Sequence, residues 1–201
     1  RHDPAAHTVL LEDAGMMLDL RAAMKGFALD RMREAVLAAG ATNGIIDLGG
    51  DQLFFGSGTP RHRDLWPVEL QDPYDPNEAF ATLEVPAGAI STTTPYARSV
   101  EVGGQRIGHL IDPRTGRPAQ GLASVTVYSR EAIRADILST ALFILGGTER
   151  CEEMEEFDDV SAVFVFEPDP GQRALVCVTP GLRGFVRDLD PPFRPLTTED
   201  D

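Results

Sequence analysis

The chain has 201 residues, 42% hydrophobic and 25% charged, a balance that excludes a disordered tail, a collagen or a disulfide scaffold. With 32 acidic against 18 basic residues the net charge is -14, which repels phosphate backbones and argues against nucleic-acid binding or a basic membrane-surface helix. The apolar runs Ile137–Leu145 and Val160–Phe166 are far too short to cross a bilayer, so no transmembrane segment is expected. The length fits one domain over 1–201 with a sizeable core. Arg1 rather than Met stands first and no signal peptide is evident. Cys151 and Cys177 have no metal-ligand spacing, and a disulfide or two buried thiols fit them equally.

In chain order, residues 8–20 read as an extended entry broken at Asp13-Ala14-Gly15. A helix is expected over 25–39, with Ala28, Met32, Ala35, Val36 and Ala39 on one face and Gly40 as its stop. Asn43–Leu48 reads as a buried strand ending at Gly49-Gly50, and Gln52–Phe55 as more strand. Short strands follow at Leu65–Leu70, Thr82–Val85, Ala89–Thr93, Ser99–Val102 and Arg106–Ile111, in antiparallel meanders. Leu122–Ser129 alternates like a strand, and Ser129 is the expected N-cap of a helix over about 130–145 closed by Gly146-Gly147. A short acidic helix at Thr148–Glu156, strands at Val160–Phe166 and Ala174–Thr179, and a Pro-rich, acidic tail over 181–201 complete the chain. Strands punctuated by three helices predict an α+β fold of antiparallel sheets with packed helices, not a doubly wound sheet.

Four segments mix residue types that handle anions and protons. Asp19–Asp30 leads into a helix start, where free N–H groups attract an anion, and it holds Lys25, the only lysine in the chain. Asp47–Asp51 places Gly49 and Gly50 after a strand, which permits either a tight turn or close approach of a ligand. A dinucleotide fingerprint would need a helix next, and more strand is expected instead. His109–Pro118 combines His109, Asp112, Arg114 and Arg117 around a turn, a mixture suited to pyrophosphate recognition and proton transfer as well as to the turn itself. On the second helix Asp136 and Thr140 stand four residues apart on one face, offering hard oxygen ligands for Mg²⁺ or simply core packing.

Taken together and in this order, these segments resemble the ApbE family of flavin transferases, whose pattern runs approximately D-L-G-G-I-A-K-G-Y-A-V-D, N-L-G-G-D, H-I-I-D-P-R-T-G-x-P and A-D-A-L-S-T-A. The resemblance covers nearly the whole chain, and Lys25 falls on the family's lysine. It implies a T-fold-like α+β domain and Mg²⁺-dependent cleavage of FAD. FMN would pass to a Thr or Ser hydroxyl of an acceptor flavoprotein of an electron-transfer complex, and AMP would leave. By position, Asp136, Thr140 and the backbone carbonyl of Met24 would hold the metal. Lys25, Asp30, Gly49, Gly50, Asp51, His109 and Asp112 would line the FAD site, with Lys25, His109 and Asp136 as the catalytic groups. Family members are usually longer at the N-terminus, and the resemblance points to a bacterial periplasm or cell envelope, with the cytoplasm also open. Arg21-Ala22 replaces the family's glycine pair, so that Arg21 would bind phosphate or block the pocket. Thr92–Tyr96 departs from the family's T-S-G-D-Y. A flavin-binding domain without transfer, or an FAD pyrophosphatase using water as acceptor, are the competing readings.

Overall fold

Alternation of side chains along the strands sets the architecture, because successive residues face opposite sides of a sheet. A computed structural model describes the chain except residues 59–60, 62–63, 96–98, 104, 149–150, 152–158, 190–192 and 196–201. Its strands are β1 (His2–Asp3), β2 (Thr8–Val9), β3 (Gly44–Leu48), β4 (Asp51–Phe55), β5 (Trp66–Gln71), β6 (Ala79–Val85), β7 (Gly88–Thr93) and β8 (Ser99–Val102). They continue as β9 (Gln105–Gly108), β10 (Ile111–Asp112), β11 (Arg117–Pro118), β12 (Leu122–Ser129), β13 (Val160–Phe166), β14 (Leu175–Val178), β15 (Val186–Arg187) and β16 (Arg194–Pro195). Two α-helices, α1 (Arg21–Ala38) and α2 (Ala132–Leu145), and a 3-10 helix over Pro180–Phe185 complete the described elements.

Seven strands form one sheet in the order β16-β14-β13-β12-β7-β4-β3, antiparallel apart from the β14–β16 pair. A smaller sheet, β15-β6-β5, packs on one face of it. Phe54, Ile90, Val163 and Val165 of the large sheet meet Trp66, Val68, Leu83 and Val85 of the small one, and Phe54 stacks on Trp66 at 5.7 Å. The neighbouring positions on the same strands point to the other face. There Leu53, Phe55 and Ala89 pack with Leu29 of α1 and Ala132 of α2, while Val125, Val127 and Phe164 pack with Leu142 and Phe143 of α2. Each such aromatic or branched side chain contributes about 1.5–3 kcal/mol by leaving water. The result is three layers, helices on a large sheet on a small sheet, in agreement with the expected α+β class.

Several sequence expectations need correction. Helix α1 begins at Arg21, four residues before the expected start, and its buried side is Gly26, Leu29 and Asp30, whereas Met32 and Ala35 are exposed. The helix is turned toward α2, and polar Asp30 occupies the face that an apolar count gives to alanine and methionine. Ser129 is not the N-cap of α2: its last non-helical residue is Glu131, with no cap from its own side chain. Within the segment expected as a Pro-rich, acidic tail, the described residues Leu182 and Phe193 are buried in the inter-sheet core. The expected acidic helix over 148–156 lies mostly outside the described residues. Of the two open readings for the cysteines, the structure has the disulfide, Cys151–Cys177, tying the chain after α2 to β14. No described helix is long and apolar enough to cross a membrane.

The bridge closes 26 residues of sequence separation, for which chain entropy predicts about 3.5 kcal/mol of stabilisation. The Cys151→Ala/Cys177→Ala double variant is expected to lose roughly 2–4 kcal/mol in urea denaturation. A loss below about 1 kcal/mol would show that the bridge restrains the unfolded chain little.

Candidate functional site

The helix-facing side of the large sheet turns polar at one end. Asp51 shares its face of β4 with Leu53 and Phe55, and Ser91 and Thr93 share theirs on β7 with Ala89. The register Gln52↔Ile90 brings Asp51 alongside Ser91, whose hydroxyl donates to Asp51 Oδ1 at 3.0 Å. Above this corner α1 and α2 cross in close contact. A Cβ on Gly26 would stand 2.4 Å from the Ala132 carbonyl oxygen, so only glycine allows the approach. The Gly26 N–H donates to Asp136 Oδ2 at 2.8 Å.

Lys25 reaches down from α1, and its Nζ lies 2.8 Å from Asp51 Oδ2. Asp51 is 2% exposed in its side chain and Lys25 45%: the carboxylate is the buried member, and the ammonium faces the opening. The ammonium is thus the close partner of a buried carboxylate oxygen, an ion pair at hydrogen-bonding distance. From Ser91 a chain of hydroxyls runs through Ser139 (3.3 Å) to Thr93 (2.8 Å) and on to Thr140 (3.3 Å). Burial pushes the Asp136 carboxyl above its ordinary value, and the nearby Asp51 charge adds to this. The Gly26 N–H and the Lys25 charge act in the opposite direction. Two carboxylates, one ammonium and a row of hydroxyls thus meet where α1, α2, β4 and β7 come together.

Among the described residues no three His, Cys, Asp or Glu side chains converge as a ready-made cation site. A hard divalent cation would therefore depend on the Asp136 carboxylate supplemented by hydroxyl and backbone carbonyl oxygens. The donors fit such an ion: Asp136 is a buried carboxylate, and the Thr140 hydroxyl stands one helical turn away on the same face.

The other residues singled out by sequence have different surroundings. Gly49 and Gly50 form the two-residue turn between β3 and β4, with φ of 63° and 90°, a pair of left-handed positions that favours glycine. A Cβ at either would meet nothing within 4 Å, so the space beside this turn is open. Asp30 is buried under the N-terminus of α2, with its oxygens accepting the Ala132 N–H at 3.1 Å and the Ile133 N–H at 3.0 Å. It caps a helix from another element. Asp112 is likewise engaged, binding the Arg114 guanidinium through both oxygens. That pairing holds the carboxyl below its usual range, and Arg114 donates to the Ile144 carbonyl near the end of α2. His109 is exposed and makes no hydrogen bond or ion pair with the cluster among the described residues. Arg21 is bound in a fork by exposed Asp19. Met24 precedes Lys25 in α1 with its side chain exposed. Sequence reasoning missed Ser91, Thr93 and Ser139; the alternation of Ser91 and Thr93 with Ile90 and Thr92 was the available signal.

Fold and site together define an α+β protein with a carboxylate, hydroxyl and ammonium centre between two helices and a sheet. The chain belongs to the ApbE family, whose profile matches residues 2–164. It is 36% identical over 197 residues to the FAD:protein FMN transferase of Treponema pallidum, covering 94% of this chain and 53% of that protein. The FAD:protein FMN transferase of Klebsiella pneumoniae is 33% identical over 165 residues, covering 81% and 50%. The crystal structure of the ApbE protein of Thermotoga maritima superposes with a TM-score of 0.73 at 29% identity, over 85% of this chain and 53% of that one. The chain thus spans about half the length of the relatives it matches.

The Asp136 environment carries a signed consequence. A carboxyl raised by folding contributes stability that is complete below its ordinary value of 3.8 and is lost as pH rises through the raised value. Asp136→Asn keeps an acceptor for the Gly26 N–H and removes the charge. Without divalent cation, its thermal midpoint is expected to equal or exceed that of wild type at pH 7, with the advantage shrinking as pH falls. Melting both proteins in chelator across pH 4–8 checks this, and a variant less stable than wild type at pH 7 contradicts it.

Proposed function

We propose that this chain carries the FAD-cleaving, FMN-transferring centre of an FAD:protein FMN transferase. The observation that carries the reading is the convergence of three of the four sequence segments on one cluster: Lys25 pairs with Asp51, and Asp136 is held by the Gly26 N–H. The names of the relatives support the substrate class, and the buried Asp136 carboxylate with the Thr140 hydroxyl one turn away supports a bound Mg²⁺.

In this reading Asp136, Thr140 and the Met24 carbonyl hold the ion, which when bound neutralises charge developing on the pyrophosphate. Lys25 contributes a second positive charge at the cluster's opening, and Asp51, braced by Ser91, fixes where its ammonium stands. Ser139 and Thr93 hold the Thr140 side of the cluster in register. The proton of the acceptor hydroxyl passes to a base, for which Asp136 and His109 are the candidates. FMN then joins a Thr or Ser of an acceptor flavoprotein, and AMP departs. The Cys151–Cys177 bridge supports an oxidising compartment such as the periplasm or cell envelope.

The test is incubation of the chain with FAD and MgCl₂, with and without a Thr-bearing acceptor peptide, following AMP. Metal-dependent AMP with FMN on the peptide is expected, and Asp136→Ala is expected to abolish both while remaining folded. AMP without labelled peptide would identify a hydrolase, and no AMP from folded wild type would remove the activity from this chain.

Lys25→Ala should weaken binding of FAD by about tenfold or more, a value typical of losing one charged hydrogen-bonding partner, and leave riboflavin nearly unaffected. Fluorescence titration of the two ligands decides it; equal losses for both would place Lys25 away from the pyrophosphate.

A further inference from the structure

The contacts between α1 and α2 are reciprocal. Asp30 on α1 accepts the N–H groups of Ala132 and Ile133 in the first turn of α2. Asp136, one turn further along α2, accepts the N–H of Gly26, one turn before Asp30 on α1. The same face of α1 therefore supplies a glycine that receives α2 and a carboxylate that fastens it. The glycine leaves no room for a side chain, with Ala132 O only 2.4 Å from where a Cβ would stand. Arg33 lies 3.4 Å from Asp30 Oδ1 and steadies the carboxylate from the next turn.

Two features make this more than ordinary packing. Helix α2 has no cap of its own, since Glu131 makes no side-chain cap bond, and its first N–H groups depend on Asp30. These groups also carry the positive end of the helix dipole, so a buried carboxylate there is favoured by charge and by hydrogen bonding together. The helix so anchored presents Asp136, Ser139 and Thr140 to the polar cluster. A shift of α2 along α1 would carry all three away from Lys25 and Asp51.

We infer that Asp30 is a positioning residue of the centre: by capping α2 from α1, it sets where Asp136 and Thr140 stand and so governs the affinity of the cation they hold. The inference rests on the reading of Asp136 and Thr140 as cation ligands, and it also has a consequence that needs no cation. Loss of the Asp30 cap should loosen the Gly26–Asp136 hydrogen bond at the far end of the clasp.

The experiment compares wild type, Asp30→Ala, Asp30→Asn and a control, Val163→Ala, which opens the inter-sheet core away from the clasp. Mn²⁺ and Mg²⁺ affinity is read by titration calorimetry, and the Gly26 amide by its resonance position and hydrogen exchange in metal-free protein. Asp30→Ala is expected to weaken cation affinity about 10–100-fold, the range for supporting partners of metal ligands. It should also displace the Gly26 resonance and speed its exchange. Asp30→Asn, which keeps one acceptor oxygen, should fall between it and wild type and serves if Asp30→Ala does not fold. Val163→Ala, although destabilised, should retain both the wild-type affinity and the Gly26 resonance. Wild-type values of both readouts in the Asp30 variants would overturn the inference, as would equal changes in Val163→Ala. Absence of cation binding to wild type would instead overturn the metal reading, and the Gly26 amide alone would then decide the clasp.

Discussion

Helix α2 is fastened at both ends by carboxylates that belong to other parts of the chain. Asp30 takes up the N–H groups of its first turn, and Asp112, through Arg114, ties the Ile144 carbonyl near its last. The helix is the only described element that contributes three polar side chains to the cluster, Asp136, Ser139 and Thr140. Its sequence is almost wholly apolar apart from those groups, with buried Ala135, Leu142 and Phe143 facing the sheet. Hydrophobic packing fixes which face looks down, but it is non-directional and tolerates sliding. The two charged clamps supply the lengthwise register that packing leaves loose. Their hydrogen bonds to ionised groups are directional and stronger than neutral ones.

That division of labour explains what was legible in the sequence. The element types followed from periodicity: Leu122–Ser129 and Val160–Phe166 were read with their observed bounds because alternation or continuous burial marks them throughout. The helix faces were harder. An apolar count puts Met32 and Ala35 of α1 inward, but the helix is turned by the demands of Asp30 and Gly26, which periodicity counts as polar and neutral. Ser129 looked like a local cap, and the true cap comes from a residue 102 positions away in sequence. No local rule can find that partner, because capping rules assume the donor and acceptor are neighbours.

The site divides in the same way. Lys25, Asp51, Asp136 and Thr140 were legible as a set through resemblance, and the structure brings them to one corner. Gly49 and Gly50 form a turn with open space beside it, a geometry compatible with both readings. Asp30 and Asp112 both engage α2, one at its first turn and one, through Arg114, near its last. Ser91, Thr93 and Ser139 escaped notice because isolated hydroxyls on strands and helices are common. Only the β4–β7 register and the helix above it reveal that they form one chain of contacts.

The charge of the cluster bears on how the proposed chemistry must be ordered. With both carboxyls ionised, Asp51 and Asp136 set two negative charges against one from Lys25, in a chain whose net charge is already -14. An anionic pyrophosphate approaching this corner alone meets a net negative site in a negative field, and repulsion in a partly desolvated setting is poorly screened. A divalent cation reverses the local sign. Burial raises the Asp136 carboxyl, and a cation beside it would act in the opposite direction, as the Lys25 charge does. Lys25 alone cannot provide that reversal, because one ammonium faces two carboxylates.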